Sequence, residues 1–460
     1  MAEIVENPNE IDDDAYLLEA ETVDAILEAV DAGNRRKLLR LLDPLHAADI
    51  ADLLEQISDK RRTALIDLWG KKFDGEVLAE LDENLSAELI EEMPDHIVAE
   101  AFKDLESDDV VDLIEDLDEA QKEVILDALE DSDEAAVRQS LLYPEDSAGR
   151  LMQREIVMAP THWTIGQAID TLRAEEDLPE QFYDILVVDP RGAPVGKVPL
   201  HSLISQPRDT LLTVVMDEDF RTIPVMQSQE DVAYAFNQYN MISAPVVDEQ
   251  NRLVGVITID DAMEVLGEEA EEDIKRLSGV GDESLTDKIL EITKRRFPWL
   301  GINLATSIIA SIVIAQFAGT IEAIVALAIL MPIVASMGGN AGTQTLTVAV
   351  RALATKDLTP ANAWRVIIRE GLVGILNGII FAVIIGAVGY IWFGDHMLGV
   401  VLGIAMIVNL FVAGLAGILV PLSLDRLGYD PALGSSAFVT TVTDVIGFFA
   451  FLGLAAVMLL

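Results

Sequence analysis

Five long apolar stretches in the last third of the chain constrain its fold more than any other feature. Each is apolar on all sides, and an α-helix of about 20 such residues crosses the hydrocarbon core of a bilayer. They cover about 298–318, 323–350, 367–393, 397–424 and 432–460. We therefore predict a transmembrane domain over residues 297–460 that contains five α-helical spans.

Lysine and arginine alternate between the two sides of this predicted bundle. Basic residues precede span one, separate spans two and three, and separate spans four and five, whereas the loops AGTIE and FGDHM carry none. The positive-inside rule then places residues 1–296 in the cytoplasm and the C-terminus outside. The expected location is the inner (cell) membrane, with several passes through the lipid bilayer. The N-terminus MAEIVENPNE lacks an apolar core, so we do not expect a signal peptide.

Nearly all of the net charge of −48 precedes the apolar stretches. Residues 297–460 hold only seven of the 79 acidic residues and five of the 31 basic ones. A soluble part this acidic argues against nucleic acid as a partner and suggests cations. A well-solvated or salt-adapted surface would have the same composition. The chain has no cysteine, which excludes disulfides and thiolate metal sites.

Span two contains the polar segment MPIVASMGGNAGTQT, in which Asn340, Thr343 and Gln344 cluster. Polar groups at this depth are expected to face protein or a water-filled path. The glycines allow helices to approach closely or allow the helix to unwind and direct carbonyls at a lumen. Ordinary packing of small residues is the alternative interpretation.

Span five contains FVTTVTDVIG, which places Asp444 near the middle of the bilayer. An ionised Asp there costs about 2.5–3.5 kcal/mol on insertion scales. Apart from Arg369 at the start of span three, the predicted spans contain no lysine or arginine, so a hydrated cation is the simplest companion. A protonated Asp444 bonded to a neighbouring threonine is the alternative. We predict that Asp444 and the polar segment of span two face one cation path.

The soluble part begins with a tail (1–19) and an acidic helical N-domain (20–140). The segments ADLLEQIS, AELIEEMP and VDLIEDLD, which begin at residues 51, 87 and 111, form a weak repeat. Short helices stacked as a solenoid fit this pattern.

Residues 144–206 and 207–270 are predicted to be two copies of one small α/β unit. Val187–Asp189 aligns with Val246–Asp248, and each copy has the order strand, turn, strand, helix. The pattern resembles a tandem pair of CBS domains. In the second copy, GVITIDD matches the motif by which such domains bind adenosine nucleotides, with Thr258 toward phosphate and Asp261 toward ribose. The first copy has GKVPLHS instead, so at most one nucleotide (ATP) site is implied.

A connecting region (271–296) joins the second copy to span one. The segment EEAEEDIKRL places five acidic residues on one helix, where like charges at i,i+3 and i,i+4 repel. Such a cluster is more stable beside a divalent cation such as Mg²⁺ or Ca²⁺. An acidic solvated surface is the alternative. A second helix, from about Thr286 to Arg296, is expected to lead directly into span one.

The whole chain resembles the MgtE family of magnesium channels. The domain order matches throughout, and the most specific motifs are PIVASMGGNAGTQ (332–344) and TVTDVIG (441–447). The resemblance implies a homodimer with a pore on its two-fold axis, where Asp444 selects hydrated Mg²⁺ beside Gly338, Gly339 and Asn340. It also implies that cytoplasmic Mg²⁺, bound to the acidic domains, holds the pore shut.

The resemblance further assigns acidic residues to metal binding. The implied residues are Asp444, Glu230, Asp261, Glu264, Glu269, Glu272 and Asp430. Asp430, before span five, is expected to link the pore mouth to the regulatory domains. Asn240 stands where the family can carry an acid, and the N-domain candidates are Asp104, Asp108 and Asp109.

Two other functions remain open from the residues themselves. Asp444 also suits a proton-coupled carrier of divalent cations, and the CBS pair suits a non-conducting membrane sensor of Mg²⁺ or nucleotide. An enzyme is not expected, because the sequence has no His-rich cluster, no P-loop and no nucleophile elbow.

Overall fold

The computed structural model describes residues 18–103, 105–115, 117–175, 178–179, 181–280, 283 and 289–460, apart from the side chains of Asp95 and Glu291. The chain divides into two compact units, and the boundary lies between Leu266 and Gly267.

The N-domain is formed by short helices that share one apolar core. They are α1 (Ala20–Asp31), α2 (Arg35–Leu42), α3 (Ala47–Gln56), α4 (Asp59–Trp69), α5 (Glu76–Ala79), α6 (Glu83–Glu92), α7 (Asp95–Ala101), α8 (Ser107–Glu115), α9 (Glu119–Leu126) and α10 (Asp131–Ser140). Polar side chains cap several of them; Asp118, for example, accepts hydrogen bonds from two backbone amides at the start of α9. The predicted repeat segments correspond to α3, α6 and α8, and each buries its Leu-Leu or Leu-Ile pair in the common core.

The CBS pair follows in the same unit. Its elements are α11 (Ala148–Leu151), β1 (Met158–Pro160), α12 (Ile165–Ala174), β2 (Asp184–Val188), β3 (Pro194–Pro199), α13 (Leu200–Ser205), α14 (Leu212–Val215), β4 (Ile223–Pro224), α15 (Gln229–Tyr239), β5 (Ser243–Val247), β6 (Leu253–Thr258) and α16 (Ile259–Leu277). The helix α16 continues beyond the CBS fold into the second unit.

The two CBS sheets confirm the predicted duplication. Strand order is β1-β2-β3 in one and β4-β5-β6 in the other, each with a parallel pair followed by an antiparallel pair. The antiparallel register shifts at Val187/Val188 in the first sheet and at Val246/Val247 in the second. These are the residues that the sequence alignment placed opposite each other.

The second unit contains the transmembrane helices. They are α17 (Ile289–Gln316), the short α18 (Ala318–Ala323), α19 (Ala326–Ala354), α20 (Ala363–Phe393), α21 (His396–Leu427) and α22 (Ser435–Met458). All of these except α18 are long and apolar enough to cross a bilayer, which confirms the five predicted spans. The connecting helix and span one form the single helix α17, and the predicted helical residues before Ile289 lie outside the described residues. The helix α21 is the most buried of the five because it packs against α19, α20 and α22.

Candidate ion path and regulatory acids

The polar residues of α19 lie on one exposed face of an unbroken helix. Their spacing of three or four residues repeats the helical period, and the amide of Asn340 lies 3.5 Å from the Ser336 hydroxyl. The exposed polar members are Ser336, Asn340, Thr343, Gln344 and Thr347. Hydrocarbon does not satisfy such groups, so this face needs water or protein beside it. Of the two suggested roles for the glycines, unwinding is not observed.

The neighbouring glycines Gly338 and Gly339 differ in their surroundings. Gly338 is buried on the opposite side of α19, where a Cβ atom would overlap with the amide of Asn409. A Cβ atom on Gly339 would lie 4.0 Å from Thr440, which is an ordinary contact. The structure therefore brings Gly339 close to the predicted path, whereas Gly338 serves the packing of α19 against α21.

Asp444 lies half-buried on α22, on the helix that packs directly against α19. The hydroxyls of Thr441 and Thr443 donate to the backbone carbonyls of Ala437 (2.6 Å) and Thr440 (2.9 Å). These two threonines are therefore not bonded to the carboxylate. Within the described residues Asp444 has neither a hydrogen bond nor an ion pair, and such an acid inside a bilayer needs a companion.

The sequence analysis missed Asn409, the most buried polar side chain of α21. It is fully buried between Gly338 of α19 and Gly447 of α22, and its amide donates to the carbonyl of Val334 at 2.7 Å. Its Oδ1 atom has no hydrogen-bond partner within the described residues. The one signal for it in the sequence is an amide inside an otherwise apolar run. Asn409 joins the two helices that carry the polar segments.

In the first unit, acidic residues of the N-domain meet acidic residues of the CBS pair. Asp108 at the start of α8 is buried, and burial together with Asp261 and Asp109 raises its pKa well above the usual range. Burial and the nearby Asp261 raise the pKa of Asp109 to about 7. Burial, followed by Glu155 and Asp109, raises the pKa of Glu106 to about 7. We call Glu106, Asp108, Asp109, Glu155 and Asp261 the interdomain acid cluster.

Hydrogen bonds hold this cluster together despite its charge. The amide of Gln153 donates to Glu106 at 2.5 Å, and the hydroxyl of Ser107 donates to Glu155 at 2.9 Å. Asp261 accepts from both the hydroxyl (2.8 Å) and the backbone amide (3.2 Å) of Thr258. Burial is still the larger influence and raises the pKa of Asp261 to about 6. These carboxyls are therefore crowded and poorly hydrated, so a cation that neutralises them would stabilise the contact.

Of the two predicted nucleotide residues, Thr258 lines a narrow cleft. Thr258 is buried and also bonds to Asp260, so its hydroxyl is engaged within the protein. The cleft that it lines with Tyr183 and Ser243 encloses about 20 Å³. The first copy has no matching threonine and aspartate, as expected from the sequence.

The negative charge of the acidic helix α16 is offset more than its sequence suggested. Glu271 pairs with Lys275 at 2.8 Å, and Glu272 pairs with Arg276, both at i,i+4 spacing. These two pairs neutralise part of the predicted repulsion within the helix. Their i,i+4 spacing is already present in the sequence EEAEEDIKRL. Glu264 and Glu269 also lie on α16.

Two of the remaining candidate positions lie at the ends of α15. Glu230 is exposed in the first turn of α15, and Asn240 ends that helix in the left-handed conformation, which asparagine tolerates well. Asp104 lies outside the described residues. No group of three or more acidic or histidine side chains in the described part of the chain is arranged to hold one metal ion.

Two contacts in the second unit join the end of α16 to the start of α22 and the turn before it, and a third contact joins α17 to the same turn. Arg276 donates to Asp430 at 2.5 Å, and Leu277 packs against an apolar cluster that includes Ala432 and Val439. The ring of Trp299, at the start of span one, fills the space where Gly434 would carry a Cβ atom. Gly434 has φ of +63° at the N-cap of α22, so a side chain there would also be strained. We call these contacts the gate joint.

Models of three protein families match this chain in the order of its domains. The "MgtE intracellular N domain" matches residues 45–146, the "CBS domain" matches 212–268, and MgtE, described as "Divalent cation transporter", matches 331–454.

One of the similar proteins covers nearly the whole chain. The magnesium transporter MgtE of Thermus thermophilus is 34% identical over 441 residues, which is 95% of this chain and 98% of that protein. The magnesium transporter MgtE of Enterococcus faecalis is 33% identical over 320 residues, covering 70% of this chain and 71% of that protein. A crystal structure of the cytosolic domain of the Mg²⁺ channel MgtE in complex with ATP is 30% identical, with a TM-score of 0.50, and covers 53% of this chain and 99% of that one. The chain therefore belongs to the MgtE family of divalent cation transporters, and it is a transporter, not an enzyme.

Proposed function

We propose that this protein is a Mg²⁺-selective channel that imports hydrated Mg²⁺ and is closed by cytoplasmic Mg²⁺. The observation that carries the proposal is Asp444, an acid on a membrane-spanning helix with no protein partner in the described residues. It lies on α22, which packs against α19, the helix that carries the polar segment. The names of the similar proteins support Mg²⁺ as the ion.

The lining chemistry suits an ion that keeps its water. Mg²⁺ gives up its hydration shell reluctantly and prefers oxygen ligands. Carboxylate, amide and hydroxyl groups from Asp444, Asn340 and Thr343 offer hydrogen bonds to a hydrated ion without a tight cage.

The functional unit in this proposal is a homodimer. The exposed polar face of α19 cannot be left against lipid, and a second copy placed there would enclose a path between two such faces. Two Asp444 carboxylates would then balance the charge of one divalent ion. The N-terminus and the soluble domains lie in the cytoplasm, in agreement with the basic loops.

Closure would begin at the interdomain acid cluster. When cytoplasmic Mg²⁺ is low, the carboxylates of Asp108, Asp109 and Asp261 repel each other across the contact between the N-domain and the CBS pair. Bound Mg²⁺ supplies the positive charge that offsets this repulsion. Oxygen donors of this type fit the ion, and several weak sites of this kind would give a steep response.

The gate joint would carry the signal to the pore helix. Arg276 holds Asp430 in the turn before α22, and Trp299 packs against Gly434, which directly precedes that helix. A displacement of α16 therefore moves the N-terminus of the helix that carries Asp444. Glu272 and Asp430, both predicted as metal-binding residues, already share Arg276, so a cation there would compete with its guanidinium.

An adenine nucleotide is a proposed second ligand of the CBS pair. The related cytosolic domain was crystallised with ATP. In this chain the cleft at Thr258 encloses only about 20 Å³, so a nucleotide requires the cleft to widen and Thr258 to release Asp261. Asp261 would then serve either the nucleotide or the interdomain acid cluster.

The first test is Mg²⁺ uptake into liposomes with low Mg²⁺ on the side of the soluble domains. We expect uptake by the intact chain, loss of flux or of cation selectivity in Asp444→Ala, and normal flux in Asp425→Ala, an exposed acid at the end of α21. Equal flux in the intact chain and in Asp444→Ala would contradict the proposed path. Uptake that follows a pH gradient at a fixed Mg²⁺ gradient would instead support a proton-coupled carrier.

A second test addresses closure. A chain that begins after residue 140 lacks the N-domain half of the interdomain acid cluster. We expect it to conduct and to close poorly when Mg²⁺ is raised on the side of the soluble domains. Closure at the same Mg²⁺ concentration as in the intact chain would contradict the proposed role of the N-domain.

A further inference from the structure

A cavity of about 230 Å³ lies at one end of the transmembrane unit, between α19, α20 and the loop that joins them. We call it the loop cavity. One side is apolar and is formed by Val348, Ala349, Ala352, Val366 and Ile418. The other side is polar and includes Asp357, Asn362, Arg365 and Arg369. The change from apolar to polar across one small cavity is typical of a site for an amphipathic ligand.

Most polar groups of the loop cavity already have partners. Arg369 pairs with Glu370 at 3.2 Å. Asp357 accepts from the hydroxyl of Thr355 at 2.8 Å, and the amide of Asn362 donates to the backbone carbonyl of Asp357 at 2.7 Å.

Arg365 differs from these neighbours. Within the described residues it has no hydrogen bond and no ion pair, and it is exposed. Its guanidinium is always charged and presents several donors in a geometry that matches phosphate oxygens. As far as the described residues show, Arg365 is thus an unpaired cation of the loop cavity, which also has apolar lining residues.

The position of α20 places this cation at the level of lipid headgroups. The helix packs along α21 and leaves a long apolar face exposed: Ile368, Leu372, Leu376, Ile379 and Val383. Arg365 and Arg369 continue this face at the end of the helix. The adjacent Trp364 is 72% exposed, and tryptophan is enriched where a membrane meets water.

We propose that the loop cavity binds an anionic phospholipid, whose phosphodiester contacts Arg365 and whose first acyl carbons lie against Ala352 and Val348. Basic pockets between transmembrane helices are known to receive such headgroups. The segment from Arg351 to Glu370 carries four basic residues and two acidic ones, which favours an anionic lipid over a zwitterionic one. The proposal requires only that the helices cross a bilayer and does not depend on which ion is transported.

The test is native mass spectrometry of the full chain purified in detergent, with phosphatidylglycerol or phosphatidylcholine added in equal amounts. We expect one phosphatidylglycerol to be retained per chain in preference to phosphatidylcholine. Arg365→Ala should weaken this retention about fivefold, the effect of one basic residue at a membrane surface. The matched control is Arg426→Ala, which removes an exposed arginine outside the loop cavity and should change nothing.

A second variant separates the cavity from surface charge. Ala352→Phe fills the apolar side without a change of charge and should also reduce retention, whereas Arg365→Lys should keep most of it. Equal retention in the intact chain, Arg365→Ala and Ala352→Phe would overturn the proposal. Displacement of the lipid by millimolar inorganic phosphate would show a site for a soluble anion and would overturn the lipid assignment.

Discussion

Glu106→Gln is a direct test of whether electrostatic repulsion in the interdomain acid cluster destabilises the folded unit. Glu106 has a pKa raised from 4.5 to about 7 by burial and by Glu155 and Asp109. Above pH 7 the folded unit must ionise this carboxyl, which costs about 3 kcal/mol at 1.36 kcal/mol per pKa unit. Solvent screening at this half-buried site reduces that figure to about 1–2 kcal/mol. Glutamine keeps the oxygen that accepts from Gln153 and removes the charge.

The pH dependence of this effect has a definite sign. The folded pKa is higher than the unfolded one, so between about pH 4.5 and 7 the folded state binds more protons. The contribution of Glu106 to the free energy of unfolding is therefore largest below pH 4.5 and is lost as the pH rises through 7. Asp109 and Asp261 contribute in the same direction and remain in the variant. The decrease in the free energy of unfolding with rising pH should be smaller in Glu106→Gln by about 1–2 kcal/mol.

The assay is urea unfolding of the first compact unit, which ends at Leu266. Tryptophan fluorescence monitors the transition, in EDTA and at several pH values. Adding Mg²⁺ at pH 7.5 should stabilise the parent unit more than the variant, because the ion offsets the charge that the variant lacks. Glu91→Gln, at an exposed position at the end of α6, is the matched control. The same loss of stability with pH in Glu106→Gln and in the parent unit would refute the reasoning.

Two further predictions concern the transmembrane unit. Gly338→Ala should destabilise the protein by about 1–3 kcal/mol through overlap with Asn409, whereas Gly339→Ala should be tolerated. The midpoint temperatures of thermal aggregation of the two detergent-purified variants test this difference. Equal midpoints would contradict the prediction. Arg276→Gln should release Asp430 and raise the Mg²⁺ concentration needed for closure in liposomes, and an unchanged closing concentration would remove Arg276 from the gate joint.

Features that depend on local patterns could be predicted from the residues in order along the chain. Continuous apolarity predicted the five spans, and the internal duplication with its strand, turn, strand order predicted the antiparallel strand pairs of the two sheets, including the aligned valines. The motifs around Asn340 and Asp444 identified the family. Such features are visible without coordinates because hydropathy and periodicity are properties of neighbouring residues.

Contacts between distant residues could not be predicted in this way. Arg276 and Asp430 are 154 positions apart, and no local pattern indicates their ion pair. Asp108 was only one of three N-domain candidates until its burial beside Asp261 became visible.

The adjacent glycines show the same division between sequence and structure. In the sequence they are equivalent members of one motif, and the predicted pore included both. Their side-chain positions point 100° apart around α19, so one meets Asn409 and the other lies near Thr440. The sequence alone determined that this is a membrane protein with an acidic soluble part and polar groups inside its spans. Only the tertiary structure decided which of those groups meet, because burial and electrostatic repulsion depend on distances in space and not on separation along the chain.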